Sequence, residues 1–123
     1  MDINNKTGVV IDEDVGEYVF AYHSTNCEIN GEVGVHVFAL HSTNCQINGH
    51  VGGWVNAEDS TNCEINGEVG VHVWADHATD CKINGEVGGH VMADDSINLQ
   101  LGLHFKAGGK FYIDEELFKL ILK

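Results

Sequence analysis

Residues 26–31 read Asn-Cys-Glu-Ile-Asn-Gly, and the words return as Asn-Cys-Gln-Ile-Asn-Gly at 44–49, Asn-Cys-Glu-Ile-Asn-Gly at 62–67 and Asp-Cys-Lys-Ile-Asn-Gly at 80–85. The steps from Cys27 to Cys45 to Cys63 to Cys81 are all eighteen residues. A fixed period near twenty marks a small unit that cannot bury its own apolar face and must stack on copies of itself. The chain reads as a solenoid.

Cut every eighteen residues, the chain falls into columns. Cys27, Cys45, Cys63 and Cys81 lead to Leu99; Ile29, Ile47, Ile65 and Ile83 lead to Leu101. Val15, Val33, Val51, Val69 and Val87 lead to Phe105, and Val19, Val37, Val55, Val73 and Val91 form a fourth column. Within a coil these positions alternate, the period of a strand with one buried face. Asn30-Gly31 and its copies interrupt the alternation and predict a corner with positive φ. The column Gly16, Gly34, Gly52, Gly70 and Gly88 predicts a second bend. The expected fold is all-β: a single parallel β-helix with 18-residue coils over about 3–110, each short strand pairing with its copy one coil away. Roughly seven coils at about 4.8 Å per step give a rod about 30 Å long. Acids early and lysines late in 114–123 predict a short C-terminal capping helix, within a cap spanning about 111–123.

A second period of thirty-six residues overlies the first. Residues 32–37 and 68–73 carry Glu-Val-Gly-Val-His-Val, whereas 51–55 and 87–91 carry two consecutive glycines. Duplication of a two-coil unit accounts for this.

The net charge of −13 rests on 19 acids against 6 bases, all lysines, with none between Lys6 and Lys82. Phosphate binding is driven by cationic side chains that release counterions, so direct contact with nucleic acid or an anionic membrane is not expected. A basic protein partner is the natural complement. The N-terminus lacks a signal pattern and no apolar run reaches the roughly 20 residues of a membrane span, so a cytoplasmic protein is expected. Four cysteines at one repeat position, far from zinc-like spacing, read as buried, reduced thiols.

The strings Ile83-Asn-Gly-Glu-Val-Gly-Gly-His-Val-Met-Ala93 and Ile47-Asn-Gly-His-Val-Gly-Gly-Trp-Val-Asn-Ala57 resemble the bactofilins, polymer-forming bacterial cytoskeletal proteins. The likeness covers about residues 9–105 and implies a right-handed β-helix that polymerises end to end without nucleotide. Ala39, Cys45, Val51, Ala57, Cys63 and Val69, spaced by six, also resemble the hexapeptide repeats of left-handed β-helices. Acyltransferases of that kind interrupt their coils with loops that build a histidine site; here the coils run on from Val9 to Phe105.

If the valines at 19, 37, 55, 73 and 91 point inward, their neighbours point out. Tyr18, His36, Trp54, His72 and His90 then form one outward column, and Phe20, Phe38, Trp74 and Met92 the next, together an aromatic stripe suited to a protein interface. Glu28, Glu32, Glu64, Glu68 and Glu86 line the coils around the Asn-Gly corner as an acidic face. His23, His41 and His77 share a column with Asp59 and Asp95, but repetition brings like residues into register whatever their role, so no metal site is expected. Nor does the sequence contain a phosphate-cradling glycine loop, a nucleophile elbow or a paired-carboxylate cleft. A non-catalytic protein without cofactor is expected. Its function is a self-associating, bactofilin-like scaffold or, alternatively, an acidic inhibitor or DNA mimic that blocks the cationic groove of a nucleic-acid-binding enzyme.

Overall fold

The computed structural model describes residues 1–102 and 104–113, with the backbone alone for 111–113. Residues 114–123, on which the expected capping helix falls, lie outside the described residues. The chain is an all-β parallel solenoid. Its strands are β1 (Val10–Ile11), β2 (Val19–Phe20), β3 (Glu28–Ile29), β4 (Val37–Phe38), β5 (Gln46–Ile47), β6 (Val55–Asn56) and β7 (Glu64–Ile65). They continue as β8 (Val73–Trp74), β9 (Lys82–Ile83), β10 (Glu86–Val87), β11 (Val91–Ala93), β12 (Gln100–Leu101), β13 (Lys106–Ala107) and β14 (Phe111–Ile113).

Two long sheets result, each with six strands rather than roughly seven: β1-β3-β5-β7-β9-β12 and β14-β11-β8-β6-β4-β2. Single bridges extend the pattern between them, Val15 to Val33 to Val51 to Val69 to Val87 on one side and Thr7 to Thr25 to Thr43 to Thr61 to Thr79 to Ile97 on the other. Register advances by eighteen, as Glu28 opposite Gln46 and Val37 opposite Val55 show. In the last coil the step changes. Leu101 still faces Ile83, but Lys106 faces Glu86 and Phe111 faces Val91, so two extra residues enter between Leu101 and Lys106. The valine column therefore ends on Ala107, not on Phe105. Among the described residues no helix is long and apolar enough to cross a membrane.

The core is a stack of like side chains. Val19, Val37, Val55, Val73 and Val91 are each 0% exposed, and the cysteine, isoleucine and Val33-type columns are buried beside them. A column of buried serines, Ser24, Ser42, Ser60 and Ser96, joins them, with Ala78 in the fourth place. Each serine hydroxyl donates to a carbonyl three residues back, Ser24 Oγ to Ala21 O at 2.8 Å, which satisfies a polar group that burial would otherwise leave costly.

The corners differ from the sequence expectation. Left-handed backbone is found at His23, His41, Asp59, His77 and Asp95 (φ 56–59°) and at Asn26, Asn44, Asn62, Asp80 and Asn98 (φ 55–59°), not at the Asn-Gly pairs. Asn, Asp and His are the non-glycine residues that tolerate this region. The glycines answer a different demand. A Cβ on Gly49 would lie 2.1 Å from the carbonyl oxygen of Gly31, and one on Gly67 equally close to that of Gly49. Coils touch backbone to backbone there. The asparagines beside these glycines form a ladder: Asn30 Nδ2 donates to Asp12 Oδ1, Asn48 to Asn30 and Asn66 to Asn48 at 2.7–2.8 Å.

Candidate interaction surface

The strands β2, β4, β6, β8 and β11 hold the expected stripe. Each begins with a buried valine, so the residues on either side of it face outward. Tyr18 is 42% exposed, while Phe20, His36, Phe38, Trp54, His72, Trp74, His90 and Met92 are half-buried because they cover one another. The rings at the N-terminal end lie nearly parallel. Phe20 and Phe38 are 5.3 Å apart at 8°, and Tyr22 stacks on Phe38 at 6.3 Å and 17°. Further along, His36 lies flat on Trp54 at 3.5 Å, Trp54 meets Trp74 edge-on at 5.2 Å, and His72 stacks on His90 at 4.9 Å. Trp74 Nε1 donates to Met92 Sδ, which fixes that indole, whereas Trp54 Nε1 is buried with no hydrogen-bond partner among the described residues.

The histidines also bind the coils together. His36 Nδ1 accepts the backbone N–H of Trp54 at 2.9 Å, His72 Nδ1 that of His90 at 2.8 Å, and His90 Nδ1 that of Lys110 at 2.7 Å. An imidazole that accepts at Nδ1 must be neutral there. Burial also pushes the His36 pKa below its ordinary value. The glycines beneath follow from this reach. A Cβ on Gly53 would stand 2.1 Å from His36 Nδ1, one on Gly89 2.5 Å from His72 Nδ1, and one on Gly109 2.4 Å from His90 Nδ1. Where the column holds Tyr18 or Trp54 instead, the next coil carries Val35 or Val71. The thirty-six-residue period thus has a physical correlate: at Gly53 and Gly89 a Cβ would meet both the histidine of the coil before and a backbone carbonyl oxygen, that of Val35 at 2.5 Å or Val71 at 2.6 Å.

The predicted acidic face is mixed along its columns. Glu28 is followed in register by Gln46, Glu64, Lys82 and Gln100, so Lys82 sits opposite Glu64. Glu32, Glu68 and Glu86 are exposed, but His50 stands between the first two, with its Nδ1 3.5 Å from Glu68 Oε2. A less interrupted carboxylate row, which sequence reading did not single out, runs along the aromatic stripe. Glu58, Asp76 and Asp94 occupy successive coils two residues beyond Asn56, Trp74 and Met92. Asp76 Oδ1 accepts the N–H of Asp94 at 2.8 Å, which holds that carboxylate in place. The strand period alone could have found this row, since i and i+2 share a face.

The histidine–aspartate column at 23, 41, 59, 77 and 95 occupies left-handed corners. His23 and His41 stack at 5.1 Å, and His41 Nε2 is 3.8 Å from Asp59 Oδ2. The four thiols are free and buried. A hydrogen bond with Cys63, together with burial, pushes the Cys45 thiol up, and a hydrogen bond from Cys63 draws Cys81 down to about 6 against the cost of burial. Comparison of the chain with family models, with curated proteins and with solved structures gives no match.

Proposed function

We propose that this chain is a non-catalytic structural scaffold of bactofilin type, whose copies add end to end by continuing the ladders of the solenoid, without cofactor. The edge of β1 supports this reading. Its partner β3 uses the carbonyls of Val9 and Ile11, through the N–H groups of Glu28 and Asn30. Backbone groups alternate in direction along a strand, so those of Val10 face away from β3, on the side where no strand pairs among the described residues. Val10 is 52% exposed. An unpaired edge is a template for another strand. Charge favours a head-to-tail match: the first coil carries Asp12, Glu13, Asp14 and Glu17, and the last described coil carries Lys106 and Lys110. Such a heterologous contact generates an open filament. Free, buried thiols suit a reducing, cytoplasmic setting.

Electron microscopy and sedimentation against protein concentration, without nucleotide, test the reading. Filaments should form, and Val10→Pro should suppress them while leaving the circular dichroism of the coil unchanged, because that N–H is not used by β3. A parent protein that stays monomeric at every concentration, with and without 114–123, ends the scaffold reading. The second reading, an acidic protein that blocks a cationic groove, is supported by the absence of any Lys or Arg from Thr7 to Cys81.

A further inference from the structure

The stripe on β4, β6, β8 and β11 is a docking surface for arginine side chains of a protein partner, we infer, with a guanidinium group held between the Trp74 indole and the carboxylate row. Three observations meet on this face. Trp54 and Trp74 are half-exposed and locked, the first by His36 at 3.5 Å and the second by its hydrogen bond to Met92. Glu58, Asp76 and Asp94 run beside them on three successive coils. Residues two apart on a strand are about 6.7 Å apart, and coils are about 4.8 Å apart. A planar cation against Trp74 is therefore within reach of Asp76, two residues on; Trp54, with His36 lying flat on it, serves to brace Trp74 edge-on. No lysine or arginine lies between Lys6 and Lys82; the cation in register with the stripe is Lys110, at its C-terminal end beyond His90.

The chemistry selects arginine over lysine. A guanidinium stacks on an aromatic face and bonds a carboxylate in two-pronged fashion, and it is less strongly hydrated than an ammonium. A second copy is a poor occupant. The chain has no arginine, and two such faces would oppose their carboxylate rows. Nucleic acid and anionic lipid carry the wrong sign. This inference deepens the blocking reading by naming a face and a chemical class. It is separate from end-to-end assembly, which uses the rims of the rod.

The test titrates the full chain with nona-arginine and with nona-lysine at low and high salt, following tryptophan fluorescence and calorimetry. Nona-arginine should bind about tenfold more tightly than nona-lysine and shift the indole emission. The triple variant Glu58→Gln, Asp76→Asn, Asp94→Asn keeps the side-chain acceptor for the Asp94 N–H and should lose about tenfold or more. Trp74→Leu, a second and independent variant, should reduce the preference for arginine. The set Glu28→Gln, Glu32→Gln, Glu64→Gln, Glu68→Gln, with a larger charge change, should bind within about twofold of the parent. Equal affinity for both peptides, or no binding of either, overturns the inference. Weakening confined to the second set also overturns it, yet leaves the blocking reading standing on the other face.

Discussion

Ser24 Oγ lies 3.4 Å from Cys45 Sγ in the coil above, and the contact recurs as Ser42 with Cys63 and Ser60 with Cys81. In the fourth place both partners change together: Ala78 stands where a serine would, and Leu99 where a cysteine would. The core thus has two interchangeable pairings, polar on polar and apolar on apolar. A buried hydroxyl that faces a hydrocarbon would lose a contact without gaining one.

Ser42→Ala should cost about 1–2 kcal/mol, because the Ala39 carbonyl keeps only the backbone donor of Ser42. Cys63→Leu alone should also destabilise, by pressing a branched side chain on the Ser42 hydroxyl. The double variant reproduces the Ala78–Leu99 pairing and should cost less than the sum of the singles by about 0.5 kcal/mol or more. Urea denaturation of the four-member cycle measures this. Strict additivity would show that the two positions do not sense each other.

The thiols should resist a bulky maleimide in the native protein and all react after denaturation. Cys27, Cys45, Cys63 and Cys81 are 1–4% exposed, so access and not ionisation sets the rate. Even Cys81, drawn down to about 6, stays out of reach within the stack. Rapid labelling of any of the four in folded protein, read by mass spectrometry, would mean that its coil opens.

Acid should weaken the stripe. His36 accepts the Trp54 N–H and its pKa is lowered by burial, so the unfolded chain binds a proton more readily than the fold does. Stability from this group is then complete above the ordinary histidine value of about 6.5 and is lost as the pH falls below it. The urea midpoint should decline between pH 7.5 and pH 5. His36→Gln, which offers an acceptor without titrating there, should decline less. Equal slopes for parent and variant would remove His36 from the pH response.

The period of eighteen made the solenoid, its inward valines and its outward aromatics legible from Cys27, Val37 and Phe38, because stacking repeats every environment. The register slip of the last coil was not legible. Phe105 looks as apolar as the valines it was aligned with, and only the pairing of Lys106 with Glu86 places Ala107 there instead. The carboxylate row at Glu58, Asp76 and Asp94 is hard to see in the sequence because its earlier rungs are Asn4, Tyr22 and Leu40, none of them acidic. The corners were misassigned for a physical reason. Asn-Gly commonly marks positive φ in hairpins, but in a coil stacked on itself a glycine is also demanded wherever two backbones touch.

That distinction separates two kinds of position by experiment. Gly49→Ala places a Cβ 2.1 Å from the Gly31 carbonyl oxygen, in backbone that no rotamer change can clear. It should cost about 3 kcal/mol or more, at the severe end of single substitutions. Gly49→Asn should be equally damaging, although asparagine is the residue best suited to left-handed backbone after glycine. His41 shows the opposite behaviour. Its φ of 56° carries the left-handed penalty of about 1–2 kcal/mol, which His41→Gly relieves against a chain-entropy cost of about 0.5–1 kcal/mol. That variant should therefore match or exceed the parent in its urea midpoint, even with the exposed stack on His23 removed. If Gly49→Asn is tolerated while Gly49→Ala is not, the Asn-Gly pair is a left-handed corner after all, and the close approach of the coils is not what selects glycine there.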